Sequence, residues 1–235
     1  MLQIHPAYDI PPEERLGRIL EDMSNYIMIP IEDQAIKLEG LKPQVVRLTQ
    51  FSVVTNLGWR DFHEKLNEYK KLIPNQVDRL NTLFLLLSDK KIYDGNGNKL
   101  DNAVKNKLRD TYLYNVWECL STSFSQEEQG LLVNHGYSFK KDNFTPEYCG
   151  KLEKVLLRKC LVDLTPESFN SQGLPIRESK EQDYKAGENI YYSYPVEGRV
   201  AGLGAGADRS SLYCDRVSSN SYVSLGACAK ILGNI

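Results

Sequence analysis

Apolar residues recur at helical spacing through most of the first two thirds of the chain. Leu16, Ile19, Leu20, Met23 and Ile27 follow one another at i, i+3, i+4, i+7 and i+11. Pro11 and Pro12 precede them, and proline is tolerated in a first helical turn. An amphipathic first helix is predicted. A short segment from Ile31 to Leu38 stops at Gly40, where glycine takes the left-handed conformation that caps helices. Between Pro43 and Leu57, Val45, Val46, Leu48, Phe51, Val53, Val54 and Leu57 are so rich in β-branched side chains that period alone does not separate helix from strand. We assign a helix there. Trp59, Phe62, Leu66 and Tyr69 mark another, closed by Pro74, and Val77 to Leu87 is apolar round most of its circumference, as a central helix is.

A glycine-rich turn at Asp94 to Asn98 precedes the longest predicted helix, Asn102 to Phe124, with Val104, Leu108, Val116, Trp117, Leu120 and Phe124 on one face. Ser125 and Glu128 form a capping box for a short helix. Thr145, Pro146 and Glu147 open a last one, with Leu152, Val155, Leu156 and Cys160 inward. Six or seven helices on short loops predict a bundle-like or orthogonal helical domain over residues 1–164.

Beyond Thr165 the helical stripe disappears. Eight of the sixteen glycines and ten serines fall in the last seventy residues, which punctuates the chain too often for long helices. Ile190 to Tyr194, Arg199 to Leu203, Ser211 to Val217 and Tyr222 to Ala229 each suit a short strand. Residues 165–189 are read as a polar connector and 190–235 as a small antiparallel β subdomain rich in Gly, Ser and Tyr. The predicted class is α+β, mainly helical at the N-terminus.

Composition narrows the function classes. With 41% hydrophobic and 26% charged residues the chain is too apolar for intrinsic disorder, and its longest aliphatic or aromatic run, Leu83 to Leu87, is too short to span a bilayer. Twenty-nine basic and thirty-one acidic residues leave a net charge of -2, so no global field draws the protein to nucleic acid or an anionic membrane. Neither partner is expected. Five cysteines without a C-x-x-C pair resemble neither a disulfide framework nor a zinc site, and the opening MLQIHPAYDIPPEE lacks an apolar signal region. A soluble protein in a reducing cytoplasm is predicted.

Candidate chemistry is sparse. Asp94, Asn96 and Asn98 fit three positions of a calcium loop, but Lys99 and Lys105 stand where glycine and a bidentate glutamate belong. His63 and Glu64 begin an H-E-x-x-H pattern that Asn67 breaks, and His5 and His135 are scattered. No metal and no cofactor are expected. Gly202, Gly204 and Gly206 with Arg209 suggest a phosphate-cradling loop, but no helix follows, and alternate glycines on one strand face equally admit a closely packed aromatic. Cys149 and Cys160 are read as neighbours on one helix, too far apart to pair, and Cys214 and Cys228 as strand residues with no histidine nearby in sequence.

Tyr191, Tyr192, Tyr194, Tyr213 and Tyr222, set among Ser, Asn, Gly, Arg199 and Arg209, have the chemistry of recognition surfaces, rigid amphipathic rings beside small adaptable donors. Asn115 to Glu118 and the run RSSLYCDRVSSNSYVSLGACAKI are similar to segments of the formylglycine-generating-enzyme and C-type-lectin-like fold, which implies a β-rich ligand-binding domain. The similarity covers about thirty residues, with Ala227-Cys228 in place of an arginine expected near the chain end, and no catalytic role follows from it. The reading is a non-catalytic module that presents the tyrosine-rich part to a protein partner. One alternative is an enzyme acting on a nucleotide or other phosphorylated ligand held between Gly202 and Arg209. Another is a self-assembling subunit of a homo-oligomer or particle.

Overall fold

Strands occupy much of the region in which helical spacing was read. The computed structural model describes residues 12–233, except 40, 42–43, 129, 141–142, 207 and 222–224. Among the described residues are four α-helices: α1 (Pro12–Glu21), α2 (Trp59–Glu68), α3 (Gln76–Leu87) and α4 (Asn102–Tyr114). The strands of the first half are β1 (Tyr26–Ile29), β2 (Val45–Thr49), β3 (Val54–Thr55), β4 (Tyr93–Asp94) and β5 (Val116–Glu127). They are followed by β6 (Gly130–Lys140), β7 (Asn143–Lys151), β8 (Cys160–Asp163), β9 (Asn189–Ser193), β10 (Val200–Ala205), β11 (Ser210–Arg216), β12 (Gly226–Ala227) and β13 (Lys230–Gly233). The protein is mostly β, which corrects the expected domain of six or seven helices.

The largest correction lies at Val116 to Phe124. Val116, Leu120 and Phe124 are spaced by four, which puts them on one helical face and also on one strand face, because four is a multiple of the strand period of two. Glu118 and Thr122 between them are buried as well, so the inward face of β5 reads Val, Glu, Leu, Thr, Phe. Polar residues at two inward positions concealed the alternation. Helix α4 therefore ends at Tyr114, where Asn115 caps it. Ser125 lies in β5 and Glu128 in the turn after it, so neither caps a helix; Thr145 to Glu147 lie inside β7, and residues 152–159 form no regular element. The β-branched run assigned as helix supplies β2 and β3. Pro11 and Gly40 lie outside the described residues.

Two sheets result. The smaller has the order β13-β2-β1-β4, antiparallel throughout. The larger runs β3-β12-β5-β10-β11-β9-β8, with β6 and β7 branching from the far half of β5. Strands from beyond residue 165 thus pair with strands from before it: β10 with β5, and β13 with β2. Helix α3 touches both sheets. Its capping box is reciprocal, Asn75 accepting from the Asp78 backbone while Asp78 accepts from that of Asn75. Every residue from Gln76 to Leu86 is buried, the polar Gln76, Asp78, Arg79, Asn81 and Thr82 together with the apolar run. Leu80, Leu83, Leu85 and Leu86 share one core with Ile27, Ile29 and Leu48 of the small sheet and Leu203 and Leu212 of the large one. A second core gathers Leu16 and Leu20 of α1 with Trp59, Phe62 and Leu66 of α2.

Residues 165–189 have contacts of their own. Leu174 and Gln172 are fully buried, and Gln172 bonds the Lys151 carbonyl and the Glu153 amide. Positions 180–183, by contrast, are all exposed. Limited digestion with a protease of broad specificity is expected to cut within 180–183 before any site between 171 and 176. The nicked protein should still migrate as one species in size exclusion, because β9 to β13 remain paired within the two sheets. Separation of the two fragments without denaturant would show that the sheet pairing does not hold them together.

Candidate functional site

Residues opposite one another on paired strands share a sheet face. Trp117 of β5 stands opposite Gly204 of β10, Gly204 opposite Ser211 of β11, and Ser211 opposite Tyr191 of β9. These four form one row across four strands, with the backbones of the two aromatic residues about 14 Å apart at three strand spacings and glycine and serine at the positions between. Tyr213, in the next row opposite Gly202, leans back towards Trp117; the two rings stack with centroids 6.3 Å apart and planes 20° apart. A Cβ on Gly204 would lie 2.9 Å from both rings, so only glycine admits this arrangement. Tyr184 stacks on Tyr191 with centroids 6.0 Å apart, and its hydroxyl pairs with that of Ser210.

Trp117 is 38% exposed, Tyr191 38% and Tyr114 45%, which leaves these rings available to a partner. A cleft of about 540 Å³ opens beside the row, walled by Tyr191, Tyr213, Ser211, Arg209, Lys159 and Glu178. Its rim carries both signs of charge. Lys159 pairs with Asp215 at 3.0 Å, and Arg158 pairs with Glu178. Burial, and secondarily Glu178, raises the Cys160 thiol above its ordinary value, and burial likewise raises Tyr184. Both shifts favour the protonated forms, in which thiol and phenol are hydrogen-bonding groups.

The structure brings some of the sequence candidates together and separates others. Tyr191, Tyr213 and Arg209 meet at the cleft. Tyr192 reaches its wall only from beneath; it alternates to the opposite face, is 2% exposed, and packs in the core with Leu203 and Leu212. Tyr194 is partly buried against that core, and Arg199 lines a different cleft beside Gly58 and Trp59 at the start of α2. Tyr222 lies outside the described residues. Gly202 and Gly204 sit within β10, which pairs with β5 on one side and β11 on the other, and Gly206 follows the strand, bonding the Arg209 carbonyl. Trp117 and Tyr184 were missed: Trp117 was placed on a helix, and Tyr184 stood in what looked like a polar connector.

The remaining candidates are structural in their contacts. Asp94 Oδ1 accepts from the amides of Asn96 and Asn98, a tight turn closed by its own side chain. Cys149 lies exposed on β7 and Cys160 on β8, not on a shared helix, and Cys119, Cys214 and Cys228 are buried. His5 lies outside the described residues. Among the described residues no group of three or more His, Cys, Asp or Glu is placed to hold a metal ion. No helix there is long and apolar enough to cross a membrane.

Fold and site together define a mostly β, two-sheet protein with an aromatic row on one face of its larger sheet. No family model, no curated protein and no solved structure matches the chain.

Proposed function

We propose that the protein is a recognition module whose aromatic row, Trp117, Tyr213 and Tyr191, binds a segment of a partner protein. The observation that carries the reading is the register: Trp117 and Tyr213 stack over Gly204, and Tyr191 stands on the same face beyond Ser211. Exposed Trp and Tyr provide large contact area at low conformational cost, and Arg beside them is the usual companion at the energetic centre of an interface. A cleft rim of both signs, Lys159 and Arg209 with Glu178, favours a polypeptide of mixed charge over a polyanion. The strand N–H groups beneath the rings are engaged in the sheet, which leaves side chains to supply the contacts.

The test is affinity capture with wild-type protein and with Trp117→Ala/Tyr213→Ala in parallel, each captured protein then being purified and titrated. The double variant is expected to bind at least tenfold more weakly, about 1.4 kcal/mol, with an unchanged urea midpoint. Tyr192→Ala should instead lose about 3 kcal/mol or more of folding stability, as a truncated core aromatic does. Equal binding by wild type and the double variant, or capture of nucleic acid alone, would refute the reading.

A further inference from the structure

Strands β9 and β11 run parallel, with Tyr191 opposite Ser211 and Ser193 opposite Tyr213. Residues two apart on a strand point the same way, so these four side chains share one face, and all four line the cleft beside the aromatic row. The rings occupy one diagonal of this square and the serines the other. One strand spacing and two residues separate Tyr191 from Tyr213, about 8 Å between their backbones. Each ring is backed on its own side, Tyr191 by Tyr184 and Tyr213 by Trp117. Two stacked aromatic pairs thus flank a slot with Ser193 and Ser211, 8% and 4% exposed, between them.

The polar groups around the slot can all donate. Among the described residues Trp117 Nε1 and the hydroxyls of Tyr191, Tyr213, Ser193 and Ser211 make no hydrogen bond. An indole N–H donates only, and a hydroxyl is free to do so. The charges of the cleft are answered with one exception: Lys159 pairs with Asp215, Glu178 with Arg158 and Glu181 with Lys185, whereas Arg209 enters no ion pair among the described residues.

We propose that the partner segment is a proline-rich stretch in the polyproline II conformation, with an acidic residue at one end that pairs with Arg209. The proposal rests on the recognition reading above and names its ligand. A proline offers a carbonyl acceptor and no backbone N–H, so a run of prolines answers a surface of donors without adding donors of its own. Its carbonyls carry no internal hydrogen bonds, and its extended form is largely ordered before binding. One pyrrolidine ring enters between Tyr191 and Tyr213; a proline one turn along the segment, about 9 Å away, meets Trp117. A strand-forming segment would need an open strand edge, and β9 and β11 are each paired on both sides.

The probe is a synthetic peptide of about twelve residues, long enough to cross the row, made of glutamate followed by Pro-Pro-Ala repeats. Binding is read in nitrogen-15 NMR from the two indole N–H signals. Trp117 is expected to shift saturably at peptide concentrations up to about 1 mM, and Trp59, whose indole donates to the Leu120 carbonyl in the core, to stay in place. The same peptide with serine for every proline should bind about tenfold more weakly or worse, and Tyr191→Ala should cost as much. Glutamine for glutamate should weaken binding about threefold, the size of one exposed ion pair, in the wild type and not in Arg209→Ala. An unmoved Trp117 signal, equal affinity for the serine or the glutamine peptide, or unchanged affinity in Tyr191→Ala would overturn the proposal. So would a Trp117 signal that moves on raising the protein concentration alone, which would assign the row to a second copy of the chain. Affinity capture separates this failure from that of the recognition reading: a captured protein that depends on Trp117 and Tyr213 but is not displaced by the peptide leaves the reading standing and sinks the proline-rich ligand.

Discussion

Arg79→Met is expected to lower the free energy of unfolding by about 3 to 5 kcal/mol, the largest effect of any single substitution considered. Arg79 and Glu118 are each 1% exposed and joined at 2.8 Å across the core, from α3 to β5. The guanidinium also donates to the Tyr112 hydroxyl at 2.5 Å and lies over that ring, and the Cys228 thiol donates to Glu118 Oε1 at 2.7 Å. Removing Arg79 leaves a carboxylate with no countercharge where water does not reach. Replacing both charges, in Arg79→Met/Glu118→Leu, should restore most of the loss, since a buried pair can be exchanged for apolar packing at little cost. Urea unfolding followed by far-ultraviolet circular dichroism measures both. A double variant as unstable as the single one would show that the loss comes from packing and not from an unpaired charge.

Acid should unfold the protein before its carboxylates titrate. His63 and His135 are buried and neutral, with pKa values lowered to about 3 in each case. For His63 the first cause is desolvation among Trp59, Tyr137 and Phe144, opposed by the Tyr137 backbone. In the unfolded chain both titrate near about 6.5, so the unfolded state binds protons that the fold excludes. The stability that depends on the two neutral rings is complete above that pH and is lost as pH falls towards 3. Each ring withdraws about 1.4 kcal/mol per pH unit, and the two together about 4 kcal/mol between about pH 6.5 and 5. Urea midpoints across that interval are expected to fall steeply, and His63→Phe should remove half of the slope. A flat profile down to pH 5 would mean that at least one ring is protonated within the fold.

Both effects arise from groups whose importance is invisible in one dimension. Glu118 fell inside the predicted long helix, because the hydrophobic residues around it, at 116, 120 and 124, satisfy helical and strand periods alike. Arg79 interrupted an apolar run, and His135 was one of three scattered histidines. Nothing in local spacing says that positions 79, 112, 118 and 228 meet, or 78, 135 and 230, since each set is assembled by strands that pair across more than a hundred residues. The aromatic row was partly legible: Tyr191 and Tyr213 were recognised by their composition and surroundings. Tyr192 was not separable from Tyr191 until the strand's facing was known, because adjacent strand residues point to opposite sides.

By itself the sequence determined what is local or summed over the chain. The central helix followed from an apolar run, the first helix from a stripe behind two prolines and the second from Trp59, Phe62 and Leu66, and the glycine alternation of β10 admitted close approach by a large ring. The tertiary structure alone decided which residues of period four are strand and which helix. It also decided which face of β9 and β11 meets water, and that α3 draws charged groups into the core. The physical reason is the same in each case: a helix is stabilised by hydrogen bonds and contacts within about four residues of itself, whereas a strand has no partner until another strand, here often distant in the chain, is placed beside it.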